Sequence, residues 1–341
     1  MNSTAHNDIC EINHELDEYL FPVLYSILMI ISIPANLASL FISCCQVKKK
    51  NELGIYLLSL SLADLLYTLT LPLWIYYAQN GDDWRLSPDL CKLSVFLKYL
   101  NYYTSSGFLT CISLDRYFAI VHPLRFHYLR TRRFALLISA LVWGFEIMSN
   151  FQILKQEEIF PEHDNSKETN HTLCYDTYPL QEWQAWLNIY RVGVGYMIPL
   201  IIMVFCYQKI YRAVEHNQAT QECDKRKIKH LLLSIIATFF LCFTPYHVVL
   251  FLRSIMERHN CSIAKVMFTP YRITTALTSL NCIADPILYC FVSETGRTDI
   301  WNMFKCDLSV SQPEVQKTQN FVVSRGSQYK TNNVPESATF L

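Results

Sequence analysis

The stretch FLCFTPYHVVLFL, residues 240–252, contains no Asp, Glu, Lys or Arg and lies within an apolar run over 231–256. About 20 helical residues cross the roughly 30 Å hydrocarbon core of a bilayer, so this run is long enough to span one. Two residues break its monotony. Pro245 removes a backbone donor from the helix interior. His247, two positions on, is ionisable near neutral pH.

Comparable runs occupy 22–46, 54–78, 93–121, 134–154, 186–211 and 266–291, giving seven in all. Hydrophobic residues make up 51% of the 341 and charged residues 17%, against about a quarter in soluble domains. The charge deficit is concentrated in those runs. Several carry a proline (Pro34, Pro72, Pro199, Pro245, Pro286), tolerated in membrane helices whose neighbours re-satisfy the freed backbone groups. The expected fold class is an all-α membrane protein with a transmembrane domain over 21–292.

Loop charge orients the spans. The links after spans one, three and five carry Lys48–Lys50, then Arg125, Arg130, Arg132 and Arg133, then Lys209, Arg212 and Lys225–Lys227. The other side is acidic, with Asp8, Glu11, Glu15, Asp17 and Glu18 before span one and Glu157, Glu158, Glu162, Asp164 and Glu168 after span four. Excess Lys/Arg marks the cytoplasmic side. Residues 1–20 are therefore expected to be an extracellular segment, and the protein a multi-pass protein of the plasma membrane. Residues 1–20 show neither the basic region nor the apolar core of a cleaved signal peptide. Sequons at Asn2, Asn170 and Asn260 all fall on the outer side as glycosylation candidates. Of thirteen cysteines, four are outer, namely Cys10, Cys91, Cys174 and Cys261. Four cysteines permit three pairings, and only an oxidising exterior would keep them.

The chain has no H-E-x-x-H and no complete G-x-G-x-x-G, so an enzyme, a cofactor and a nucleic-acid partner are not expected. Seven spans also lack the internal repeat of many transporters. With seven spans and an outer N-terminus, SLADLL (61–66), SLDRYFAIVHPL (113–124), CFTP (242–245) and NCIADPILYCF (281–291) fall in order on spans two, three, six and seven. In this arrangement the chain resembles a rhodopsin-like (class A) G-protein-coupled receptor. LGIYLLSLSLADLLYTLTLPLWI, LRTRRFALL, TLCYDTYPL, FTPYHV and YRITTALTSLNCIADPILYCFVSETGR resemble its small proton-sensing branch.

The resemblance implies a seven-transmembrane helix bundle with a short amphipathic eighth helix, 293–306, and a disordered cytoplasmic tail, 307–341. It implies a Cys91–Cys174 disulfide. Cys10–Cys261 is expected as a second bridge, because only these four cysteines face the oxidising side. Asp115, Arg116 and Tyr117 resemble the latch that swings to admit a heterotrimeric G protein, and Tyr207 and Tyr289 the tyrosines that line the opened cavity. Phe243 stands where most of the wider family has tryptophan, and Asp285 where asparagine is commoner. Arg191 and Arg272 are expected to face an outer pocket. Cys306 is a palmitoylation candidate at the membrane surface, and the Ser/Thr-rich tail implies receptor kinases and arrestin. Beyond membrane lipids and extracellular protons, the implied partner is a stimulatory G protein that raises cyclic AMP. The alternative is a receptor for a lysolipid such as psychosine or another anionic organic ligand, which would use the two arginines.

The ionisable groups carry the proton reading. Asp64, Glu146 and Asp285 all lie inside apolar spans, where a charged group costs several kcal/mol and is functional by default. Asn36, Ser105 and Asn281 lie on spans that can face Asp64 and Asp285. Three acids without a nearby base cannot all be ionised, so some must bind a proton or a cation; sodium at Asp64 is the metal candidate. His14 lies among carboxylates that favour its charged form. The proton-sensing relatives suggest one histidine in the outer segment and one on span six, matched here by His14 and His247. A second outer histidine four residues on is replaced by Glu18. One group with a one-unit difference between two states supplies about 1.4 kcal/mol of bias. A full switch needs about 5.5 kcal/mol, so histidines and carboxylates must act jointly.

Overall fold

The structure, a computed structural model, describes residues 10, 15–155, 159–164, 169–175, 177–216, 222–258 and 260–292. Asn2, His14, Cys306 and the segments expected as helix eight and tail lie outside them, as do the side chains of Asn170 and Tyr289. Ten α-helices follow in order: α1 Glu15–Lys48, α2 Leu53–Thr68, α3 Leu71–Gln79, α4 Pro88–Val121, α5 Arg132–Lys155, α6 Glu182–Tyr190, α7 Ile198–His216, α8 Glu222–Met256, α9 Cys261–Ser279 and α10 Asn281–Val292. A π-helical stretch, Arg191–Met197, joins α6 to α7.

The breaks follow from the sequence. Pro72 has no N–H to offer, and α2 stops four residues before it, leaving α3 to restart with proline in its first turn. Pro88 opens α4 behind Ser87, whose Oγ accepts the Leu90 N–H. The wider π-helical turn ends two residues before Pro199. α1 starts six residues before the expected boundary at 21, because its first turns are buried through Asp17 and Phe21.

Among the described residues, five stretches are long and apolar enough to cross a membrane: Asp17–Lys48, Leu53–Gln79, Arg132–Lys155, Glu182–His216 and Ile228–Met256. The expected spans at 93–121 and 266–291 are not among them, although α4 covers the first and α9 and α10, broken at Leu280, cover the second. α4 packs against α2, α5 and α7 and buries Lys98, Asn101, Thr104, Ser105 and Ser106, so its polar groups face protein. The large exposed apolar residues instead line helices such as α1 (Val23, Ile27, Ile30, Leu37, Phe41) and α5 (Leu137, Leu141, Met148). This is the pattern of a helical protein wrapped by lipid.

The all-α expectation is corrected in one place. Ile159–Asp164 (β1) and Thr169–Cys174 (β2) form an antiparallel hairpin with Ile159 opposite Cys174. The hairpin is tied down from outside itself: the Trp84 N–H donates to the Thr172 carbonyl at 2.7 Å, and Cys174 is disulfide-bonded to Cys91 at the start of α4. Cys10 is disulfide-bonded to Cys261 at the start of α9.

Non-reducing peptide mapping is expected to recover both linked pairs. Cys174→Ala, which opens an 83-residue separation, should cost on the order of 3–5 kcal/mol and most surface expression. Free alkylation of Cys10 and Cys261 in native protein would remove the second bridge alone.

Candidate functional site

Three layers of polar side chains run through the helices. At the end where α4 stops, Arg116 lies against its neighbour Asp115 with Nη2 2.7 Å from Oδ2. Asp115 also faces Arg130 Nε at 3.5 Å, and Arg130 Nη2 pairs with Glu52 at 2.8 Å. Arg116 is thus held sideways in a four-residue charge chain. The Tyr117 hydroxyl is 3.1 Å from His122 Nε2, and Tyr207 stacks on Tyr211 at 6.1 Å between ring centroids.

The middle layer is built on Asp64 of α2 and Asp285 of α10, both fully buried. Asn101 Nδ2 of α4 donates to Asp64 Oδ1 at 2.8 Å. The other Asp64 oxygen and both Asp285 oxygens have no hydrogen-bond partner among the described residues. Ser105 reaches this layer only through Asn101, at 3.5 Å, and Asn281 contacts Cys282 Sγ at 3.5 Å. Asn36 donates instead to the Cys282 backbone carbonyl at 2.7 Å. No group of three or more metal-binding side chains occurs among the described residues. Asn101 was not anticipated, although it lies one helical turn from Ser105 on the same face.

The outer layer, at the end carrying the disulfides, is aromatic. His247 of α8 is 1% exposed. Its Nδ1 lies 2.8 Å from the Phe243 carbonyl, which only accepts, so Nδ1 carries the proton. Nε2 is buried without a partner among the described residues. The ring stacks on Tyr196 at 4.6 Å and 11° and meets Tyr246 and Tyr103 edge-on at 5.1 and 5.9 Å. Tyr196 is fixed by a 2.8 Å hydroxyl contact with Thr244. Phe243 is fully buried against Phe239.

The two candidate pocket arginines part ways. Arg191 is buried with its guanidinium 3.5 Å from the Tyr99 ring centre, donates to the Tyr175 hydroxyl at 3.0 Å, and has no carboxylate within ion-pair reach among the described residues. Glu146 is its neighbour in a crevice between α5 and the α6–α7 span. Arg272 does not face an open pocket. Its Nε is 2.7 Å from Asp17 Oδ2 and its Nη2 3.1 Å from Asp82 Oδ1, so it ties α9 to the start of α1 and the loop after α3. Sequence reading also missed Arg253, which is paired with Glu257 one turn later at 2.5 and 2.8 Å. Both are fully buried, and Glu257 Oε1 accepts the Leu180 N–H. The i, i+4 spacing was the available signal; the burial was not.

The sequence that builds this arrangement has relatives among known proteins. The family model described as 7 transmembrane receptor (rhodopsin family) matches residues 35–289. This chain belongs to that family. The receptor is 54% identical over 311 residues to G-protein coupled receptor 65 of Homo sapiens, covering 89% of this chain and 91% of that one. It is 43% identical over 301 residues to G-protein coupled receptor 68 of Mus musculus (88% and 81%) and 32% over 332 residues to lysophosphatidic acid receptor 6 of Mus musculus (94% of each). It is therefore a multi-pass membrane receptor that signals through a G protein, and not an enzyme.

The Arg253–Glu257 pair gives a stability test of this receptor. Arg253→Met strands a buried carboxylate and should cost about 3–5 kcal/mol in thermal unfolding of the detergent-purified protein. Arg253→Met with Glu257→Gln, which keeps an acceptor for Leu180, should recover part of that loss. Equal losses in the single and double variants would show that the pair is not what stabilises the site.

Proposed function

We propose that the receptor is activated by extracellular protons and raises cyclic AMP through a stimulatory G protein. On this reading seven helices cross the plasma membrane, with α4 and α9–α10 completing the set and the N-terminus outside. Residues 293–306 form the eighth helix. Cys306 carries palmitate, Asn2, Asn170 and Asn260 are glycosylation sites, and the tail recruits receptor kinases and arrestin. The observation that carries the proposal is that Asp64, Glu146 and Asp285 are buried without an ion-pair partner among the described residues. Such groups cannot all hold charge in a low-dielectric interior, so proton occupancy is part of the state of the protein. His247 adds a fourth titratable group, its Nε2 enclosed by aromatic rings, and His14 of the outer segment a fifth.

In this structure the Arg116 chain is closed and His247 has no carboxylate among the described residues to stabilise an imidazolium, which suits a resting state. Protonation of Nε2 would place a charge among Tyr103, Tyr196 and Tyr246 with no acceptor offered, favouring rearrangement of α8 around Pro245. The resemblance to the proton-sensing branch supports the same agonist. A lysolipid is the second reading, favoured by the unpaired Arg191 and by the likeness to a receptor named for lysophosphatidic acid. The cavity beside Arg191 is only about 10 Å³, close to one water and far below a lipid head group.

If the active state binds protons more tightly than the resting state, its bias is present at low pH and fades as pH rises. Histidine titrates near about 6.5, so cyclic AMP should rise as external pH falls from about 7.5 toward 6.5. His14→Phe with His247→Phe should move the midpoint to lower pH without abolishing the response. Glu18→His, which supplies the relatives' second outer histidine, should move it upward. An unshifted midpoint in the double variant, at matched surface expression, would shift belief to the lipid reading. Arg116→Ala should remove signalling while leaving the receptor at the surface, and pH-dependent cyclic AMP in that variant would refute the latch. Glu146→Gln and Asp285→Asn should each raise activity at pH 8; no rise in either would refute the buried-acid switch.

A further inference from the structure

We propose that the crevice between α5 and the α6–α7 span binds a small monovalent anion, chloride by size, together with the proton taken up by Glu146. The cavity is lined by Tyr103, Glu146, Ser149, Asn150, Tyr190 and Arg191 among others and has room for one particle the size of water. Its polar groups are incompletely matched. Arg191 Nε–H and the Tyr103 hydroxyl are buried with no hydrogen-bond partner among the described residues. The Glu146 carboxylate takes part in no hydrogen bond or ion pair there; only its backbone carbonyl does, accepting from Asn150 Nδ2 at 2.9 Å.

Three of the four Nη hydrogens are already engaged: Nη1 with the Tyr175 hydroxyl at 3.0 Å and Asn188 Oδ1 at 3.4 Å, Nη2 with Asn150 Oδ1 at 3.4 Å. The free Nε–H therefore needs an acceptor, and no side chain in the crevice is placed to be one. Tyr103 is held in position by a close backbone approach. A side chain at Gly195 would put its Cβ 2.4 Å from the Tyr103 ring, and Ser106 Oγ donates to the Gly195 carbonyl at 2.8 Å.

Charge balance then sets the rule. With Glu146 ionised, the crevice holds one positive and one negative group and is neutral. A guanidinium does not release its proton in proteins, so protonating Glu146 leaves Arg191 without a counter-charge. An anion seated on Arg191 Nε–H and the Tyr103 O–H restores neutrality, and the protonated Glu146 can supply a third donor. The surrounding titratable groups do not offset the excess: α4 adds Tyr99 and Tyr103, α6 adds Tyr190, the loop after β2 adds Tyr175, and α8 adds Tyr246 and His247. A charged His247 would increase it. A volume near that of one water suits a monatomic anion better than a phosphate or carboxylate head.

Linkage is reciprocal: if the proton promotes anion binding, the anion must promote proton binding. The inference rests on the proton reading above, and the test separates the two. Full-length receptor in nanodiscs is titrated for G-protein recruitment from pH 8.5 to 5.5 in chloride, bromide or gluconate at equal ionic strength. Replacing chloride by gluconate should lower the half-response by about half a pH unit, a threefold loss of apparent proton affinity, and bromide should substitute for chloride. Tyr103→Phe should shrink that difference between the two salts. Superimposable curves in chloride and gluconate would overturn the anion site. Thermal unfolding of the same samples decides the site independently of signalling. Chloride should raise the melting temperature over gluconate more at pH 5.5 than at pH 8.5, and Tyr103→Phe should reduce the gain. Absence of an acid response in every salt would defeat the proton reading, while the melting difference, or its absence, would still uphold or overturn the anion site.

Discussion

A proline in a membrane helix leaves a carbonyl without its amide, and the way this protein answers that constraint at Pro286 organises its centre. The orphaned acceptor is the carbonyl of Cys282, one turn earlier. Asn36 Nδ2 reaches it at 2.7 Å from α1, and Ser32 Oγ at 3.3 Å. Water cannot do this in hydrocarbon, so a neighbouring helix must. α1 is thereby locked to α10 beside Asp285, and Ser32 carries the contact on to Thr68 of α2, one turn after Asp64. Beside Pro245, Thr278 Oγ1 of α9 donates to the Cys242 carbonyl at 2.9 Å, one position after the Leu241 carbonyl that this proline leaves without its amide. The two prolines of the signalling helices are therefore stitched to partners rather than left as free hinges. Motion about either must exchange a hydrogen bond.

The same economy explains the distribution of charge. Exposed ion pairs contribute little, whereas buried ones are held by geometry and become costly when half-broken. Arg272 and Arg253 are buried with carboxylates in bonding contact and fix the outer end. Arg191 is buried on a tyrosine face, and its hydrogen-bond partners among the described residues are neutral. The first two belong to the frame, and the third is where a change of protonation nearby is felt.

What could be read from the chain divides along the same line. Apolar runs and prolines located helices to within a few residues, and short motifs singled out Asp115 and Arg116, which lie in one charge chain, and Asp64 and Asp285, which are buried. Those signals are local. The environment of His247 was not legible, because it depends on Tyr196 and Tyr103, which other helices deliver. Arg272 looked like a pocket cation because its partner Asp82 lies 190 residues away. The hairpin after α5 was missed for a similar reason: it is anchored by Trp84 and Cys91, far from its own sequence. Asn101 was hidden in plain view, one turn from a serine that had been given its role.

The low hydropathy of α4 has a consequence for how the molecule is made. A helix bearing Lys98, Asn101, Thr104, Ser105 and Ser106 is poorly matched to lipid by itself, and these side chains are buried only after α2, α5 and α7 have gathered around it. A nascent chain emerging in order meets α4 before two of those three companions exist. Biogenesis must then hold the third span in a sheltered setting until later helices arrive. Substitutions that make α5 or α7 slow to insert would be expected to appear as degraded protein, not as altered signalling.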